Sequence, residues 1–193
     1  GMTFVIITGG IDLSVGAIVA VAGCLATSLA LENAPSPLIF CFLVAIGAGI
    51  ACGAFSGLFV AVFRIPAFIA TLATQTITRG IVYVFTDGRP ITGLTSQYKI
   101  AGRGSVGVVP ILVIIYVAFL ILAIFLLNFT KFGQHVFAVG GNRKAAIVSG
   151  VNAKATEFAV YVISGLTAAC AGLLLSSRIQ TGQPTSGEGY ELD

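Results

Sequence analysis

The sequence predicts an all-α membrane protein, a polytopic helical bundle of about five spanning segments with the first one interrupted. Three observations lead there. Mean hydropathy is +1.05. Only 9% of the 193 residues are charged, against about 25% in a soluble globular domain. Apolar runs of about 20 residues, the length that crosses hydrocarbon at about 1.5 Å per residue, alternate with polar connections. A chain with so little polar surface cannot coat itself against water, so lipid must be its solvent. The 24 glycines fit helices that pack closely in a membrane.

Taken in order, residues 1–8 are apolar, Gly9-Gly10-Ile11-Asp12 breaks the run, and residues 13–31 resume it. The second segment, 38–63, follows the turn Glu32-Asn33-Ala34-Pro35-Ser36-Pro37. It is longer than a bilayer requires, which predicts tilt. The third, 65–85, follows Arg64 and is the most polar. The fourth, 108–127, has Pro110 in its first turn, where proline is tolerated. The fifth is 158–177. The chain opens on an apolar stretch at Gly1-Met2 and stops at Asp193 inside a polar one, which reads as a fragment.

Between the spans, residues 86–107 hold Asp87, Gly88, Arg89 and Pro90 and read as a loop. Residues 128–157 carry Lys131, His135, Arg143, Lys144 and Lys154 and form the most basic connection. The positive-inside rule places that connection in the cytoplasm. Helix alternation then puts residues 86–107 and the tail after Arg178 outside. The margin is narrow: Arg64, Lys131, Arg143, Lys144 and Lys154 fall inside, and Arg89, Lys99, Arg103 and Arg178 outside.

Three constellations carry functional potential. Asp12, after two glycines and before Ser14 and Gly16, suits a helix N-cap whose carboxylate accepts from free amides one turn on. The alternative is a broken helix whose backbone, with Asp12 and Ser14, lines a polar cavity. On the third segment Thr71, Thr74, Gln75 and Thr78 share one helical face, with Arg79 beside them. That stripe fits interhelical hydrogen bonds plus an Arg79 reaching for the interface, or equally a polar lane along a solute path. In the basic connection, Lys131-Phe132-Gly133 and Gly140-Gly141-Asn142 read as turns. Asn142 then caps a short helix over residues 143–151, closed near Gly150. Such a helix suits either rest on anionic lipid or docking of a soluble partner.

Other classes are excluded by composition. Cys24, Cys41, Cys52 and Cys170 lie in apolar runs without Cys-x-x-Cys spacing, and His135 stands alone, which argues against a metal site or disulfide framework. A net charge of +3 with no basic stripe does not suit nucleic acid. No phosphate-binding loop is present, and one histidine in a loop supports no nucleophile–base pair, so no residue is assigned a catalytic role.

Several stretches together resemble one family. Residues 9–16, Phe68-Ile69-Ala70-Thr71-Leu72-Ala73, Thr78-Arg79-Gly80, residues 140–151 and residues 183–193 (QPTSGEGYELD) are similar, in order and spacing, to the permease subunit of ribose-type ABC importers, within the branched-chain amino acid and ribose permease superfamily. The resemblance implies one transmembrane permease domain over 1–193, truncated at both ends relative to the family, in a bacterial plasma membrane. It implies that residues 1–8 end a helix begun earlier, so that the break lies near the cytoplasmic end. It further implies a second permease subunit, two cytoplasmic ATP-binding subunits that hold the ATP and Mg, and an extracytoplasmic sugar-binding protein, with no cofactor on this chain. Residues 128–157 would be the coupling loop, with Gly140, Gly141, Asn142, Arg143, Ala146, Ser149 and Gly150 docking on the ATPase. The rival functions are branched-chain amino acid or nucleoside import by the same machinery, an ion-coupled secondary transporter, and a purely structural membrane subunit.

Overall fold

Three of the long helices begin one residue after a proline. Pro37 precedes Leu38, Pro66 precedes Ala67, and Pro110 precedes Ile111. A helix entrance loses nothing from the missing amide and gains a preset φ. The computed structural model describes residues 1–33 and 36–191; Ala34 and Pro35 of the expected turn, and Leu192 and Asp193 of the terminal motif, lie outside the described residues. Element order is α1 (Met2–Ile7), α2 (Val15–Leu29), α3 (Leu38–Gly57, extended by a π-helical turn Leu58–Val62), α4 (Ala67–Thr86), α5 (Ser96–Arg103), β1 (Ser105–Val106), β2 (Val109–Pro110), α6 (Ile111–Phe129), α7 (Lys131–Gly141), α8 (Arg143–Val148) and α9 (Ala153–Ile179). Among the described residues four helical stretches are long and apolar enough to span a membrane, namely Leu38–Val62, Ala67–Thr86, Ile111–Phe129 and Ala153–Ile179; Val15–Leu29 is apolar but shorter. The all-α polytopic class is as the sequence predicts.

Small residues set the packing. On α3, Gly49, Gly53 and Gly57 recur every fourth residue and face α9, where an added Cβ would meet the backbone of Gly165, Tyr161 and Phe158 in turn. On α9, Gly165 and Gly172 receive α3 and α2 in the same way. The descending partner numbers show that α3 and α9 are antiparallel. Without a hydrophobic force between helices in lipid, such close backbone approach is what holds them. Ile18, Val19, Ala22, Ala45, Ala169 and Leu173 form the central core between α2, α3 and α9.

The first segment is interrupted at Gly9–Asp12 as expected, and the break takes the form of a reversal. Gly1 abuts Ser164 and Thr167 of α9, and the end of α1 at Ile7 abuts Gly140 of α7. Residue Gly9 then adopts φ +79, and the Gly9 and Gly10 amides close α1 by donating to the Ile6 and Val5 carbonyls. From there the chain climbs α9 again, Asp12 at Ser164 and Gly23 at Gly172 and Ser176. Gly9 in the left-handed region permits a return that a bent helix does not require.

Both connections hold more structure than the sequence predicts. Within 86–107, α5 lays the buried Tyr98 on α9: its hydroxyl lies 2.6 Å from Ser176 Oγ, and Ser177 Oγ donates to the Tyr98 carbonyl at 2.5 Å. Burial pushes the Tyr98 phenol up to about 12. The β1–β2 hairpin takes up Val109 and Pro110, which delays α6 to Ile111. In the basic connection Lys131-Phe132-Gly133 and Gly140-Gly141 are instead parts of α7, and the chain leaves that helix only at Asn142. Thr130 caps it by accepting from the Gly133 amide at 3.2 Å, and Gly133 and Gly140 are glycines because the Leu127 and Ile7 carbonyls press against them. Helix α9 starts at Ala153, not 158, since Asn152 Oδ1 accepts from the Ala155 amide at 3.0 Å.

Candidate functional site

The polar side chains of α4 converge on a seam. Thr71, Thr74 and Thr78 are buried along one face, while Thr76, off that face, is exposed and bonds only the Leu72 carbonyl of its own helix. Thr74 Oγ1 accepts from Ser56 Oγ on α3 at 2.8 Å and itself donates to the Ala70 carbonyl. Thr78 Oγ1 lies 3.6 Å from Cys52 Sγ. Thr71 donates to the Ala67 carbonyl at 2.8 Å and reaches the Ile11 carbonyl at 3.5 Å. These contacts satisfy hydroxyls that would be costly in hydrocarbon and join α4 to α3 and to the 8–14 reversal.

Asp12 and Ser14 lie at the foot of α2, fully buried. The carboxylate does not cap one turn on, as the sequence suggests. Its Oδ1 accepts from the Ser14 amide at 3.0 Å and the Ser14 hydroxyl at 2.5 Å, and its Oδ2 accepts from Ser164 of α9 at 2.6 Å. Tyr161 adds a 3.4 Å bond to the Ile11 carbonyl. The cluster pins the reversal to α9. Ser164 escaped sequence reading because a lone serine in an apolar helix carries no pattern.

Beyond α9 the chain turns inward. The expectation of an outside tail after Arg178 fails for residues 181–191. Gly182 pairs with Ile91 and abuts Thr27, Gly187 abuts Gly16, and Glu191 meets Gln75 near the midpoint of α4. Arg79 does not reach for an interface: its Nη1 donates to the Pro184 carbonyl at 2.6 Å and the Ser186 carbonyl at 2.8 Å. Gln75 Nε2 donates to Glu191 Oε1 at 2.8 Å. A non-helical backbone lacks its own ladder, and buried carbonyls need donors, which is what Arg79 supplies. Arg79 Nη2 and Glu191 Oε2 are buried with no partner among the described residues.

At the far end of the bundle, Asn142 caps α8 as expected, its Oδ1 accepting from the Ala145 amide at 3.0 Å. Arg143 is taken up by a two-point pair with Glu157 of α9 at 2.5 and 3.0 Å, and the Glu157 carboxylate raises the Arg143 guanidinium above its ordinary value. Ala146 turns inward onto Val139 and Ala153, so it does not lie on the outer face. Gly140, Gly141, Ser149 and Gly150 are exposed, as are Ile147 and Val148, the last at 89%. No group of three or more metal-ligating side chains gathers among the described residues.

Spanning helices joined by glycine contacts and a buried polar seam define a multi-pass helical membrane protein. Residues 1–193 match the family model described as the permease component of the branched-chain amino acid transport system, and the chain belongs to that family. It is 43% identical over 195 residues to the ribose import permease protein of Bacillus subtilis, covering 100% of this chain and 60% of that protein. It is 41% identical over 194 residues to the galactofuranose transporter permease protein of Escherichia coli, with 100% and 56% covered. With the L-arabinose transport system permease protein of Escherichia coli it shares 36% over 192 residues, with 100% and 58% covered. The chain thus spans about 60% of the length of these relatives. No solved structure matches it significantly.

Proposed function

We propose that this chain is the membrane-spanning part of an ATP-driven importer that carries a monosaccharide of the ribose kind across a bacterial plasma membrane. One observation carries the reading: identity of 36–43% along the whole chain to permeases named for ribose, galactofuranose and L-arabinose. The partners are a second permease subunit, two cytoplasmic ATP-binding subunits holding ATP and Mg, and an extracytoplasmic sugar-binding protein. Residues 128–157 face the cytoplasm in this reading. Their α8 tip, with the exposed apolar Ile147 and Val148 beside Lys144, is the knob that meets the ATPase, since exposed apolar side chains at a loop tip mark a contact site. The inward-turned Ala146 supports the knob from behind.

The test is uptake by the full-length transporter. Val148→Asp places a charge in the docking contact and should abolish uptake of labelled D-ribose while leaving the permease inserted, since an uncompensated charge in a packed interface costs several kcal/mol. Normal uptake in that variant removes coupling from this tip. A second reading, branched-chain amino acid import, is favoured by the description of the family model; uptake of leucine without uptake of D-ribose would establish it.

A further inference from the structure

The segment after α9 presents two faces at the depth where helices normally are the only tolerated backbone. One is packed: Gly182, Pro184 and Gly187 are buried, Gly187 so tightly against Gly16 that neither has room for a Cβ. The other is open and polar: Gln183, Thr185 and Glu188 are exposed. Its depth follows from its anchors, since Arg79 and Gln75 lie in the middle of α4 and Gly16 opens α2. Irregular backbone inside a membrane persists only where protein covers it or water reaches it, and an acidic side chain at that depth faces water or the bundle interior.

We propose that the Gln183–Thr185–Glu188 face lines a water-filled path through the bundle, and that Arg79 is the positioning residue that holds it there. This rests on the reading of the chain as a solute permease. Arg79 spends one guanidinium nitrogen on two carbonyls of the segment and keeps a second buried with no partner among the described residues. Glu191 likewise keeps one carboxylate oxygen without a partner among the described residues while bonded to Gln75. Buried polar atoms are rarely left so without water or another partner close by. The α4 stripe therefore divides its work: the threonines fasten α4 to its neighbours, and Gln75 and Arg79 present the re-entrant segment to the solute.

The experiment uses the full-length transporter in membrane vesicles, with every native cysteine replaced, Cys24, Cys41, Cys52 and Cys170 among them. Single cysteines are placed at Thr185, at Glu188 and, as an outward-facing reference, at Ile121 of α6, and their reaction with a small charged thiol reagent is followed. The thiolate is the reacting form, so the first two should react at least about tenfold faster than the reference, and saturating D-ribose should slow them. Arg79→Gln should lose uptake and abolish the slowing, with Arg79→Lys restoring part of both. Thr185→Cys and Glu188→Cys no faster than Ile121→Cys would overturn the inference. So would fast labelling indifferent to D-ribose in a protein that still imports it. A reference protein that imports no D-ribose counts against the sugar reading alone, and the reactivity contrast then decides whether this face meets water.

Discussion

Helices α6 and α9 both span, yet they stand at opposite ends of the bundle's organisation. The 19 residues of α6 are almost all Ile, Leu, Val and Phe, and none is buried by the other described residues. Helix α9 buries twelve of its 27, and these include Thr156, Ser164, Gly165, Gly172, Ser176 and Ser177. In water the most apolar helix would be the innermost. In lipid the order inverts, because acyl chains are as apolar as leucine and nothing drives Leu120 or Phe125 inward. What draws a helix inside is a backbone that can approach closely and hydroxyls that need partners.

Four tests bear on that contrast, in descending order of expected effect. Gly165→Leu drives a side chain into the Gly49 carbonyl and Gly53, and should cost at least about 3 kcal/mol in denaturant-titrated unfolding in detergent, since overpacking a tight contact is not relieved locally. A smaller loss, about 2 kcal/mol, is expected for Asp12→Ala, which leaves the Ser14 amide and the Ser164 hydroxyl without their acceptor; Asp12→Asn, which keeps an acceptor, should lose less. Next comes the Ser56–Thr74 bond: a double-mutant cycle with Ser56→Ala and Thr74→Val should give a coupling of about 0.6 kcal/mol. Last, Ile121→Ala on the outer face of α6 should stay within about 0.5 kcal/mol of the parent. If Ile121→Ala and Gly165→Leu destabilise alike, the inversion is wrong and hydrophobicity orders this bundle as it does a soluble one.

Much of this was legible along the chain, and the remainder has an identifiable cause. The spans, the Asn142 cap and the common face of Thr71, Thr74 and Thr78 depend on residues within a turn or two, so local pattern exposes them. Glycine was read less well. Gly133 and Gly140 resemble turn residues in one dimension, and only the Leu127 and Ile7 carbonyls pressed against them reveal why a helix carries them. The resemblance counts Ala146 among the docking residues, whereas its contacts with Val139 and Ala153 turn it in and leave Ile147 and Val148 outside.

By itself, the sequence determined the solvent, the helical class and the positions of the spanning segments, because transfer into hydrocarbon is a property of each stretch of about 20 residues taken alone. Only the tertiary structure decided the path of the chain between and beyond them. Whether residues 1–14 bend or reverse, and whether residues 181–191 leave the membrane or re-enter it, depends on partners far apart in sequence: Asp12 and Ser164 are 152 positions apart, Gln75 and Glu191 116. A buried carboxylate or an unladdered carbonyl must find a donor, and composition states that need without saying which distant helix meets it.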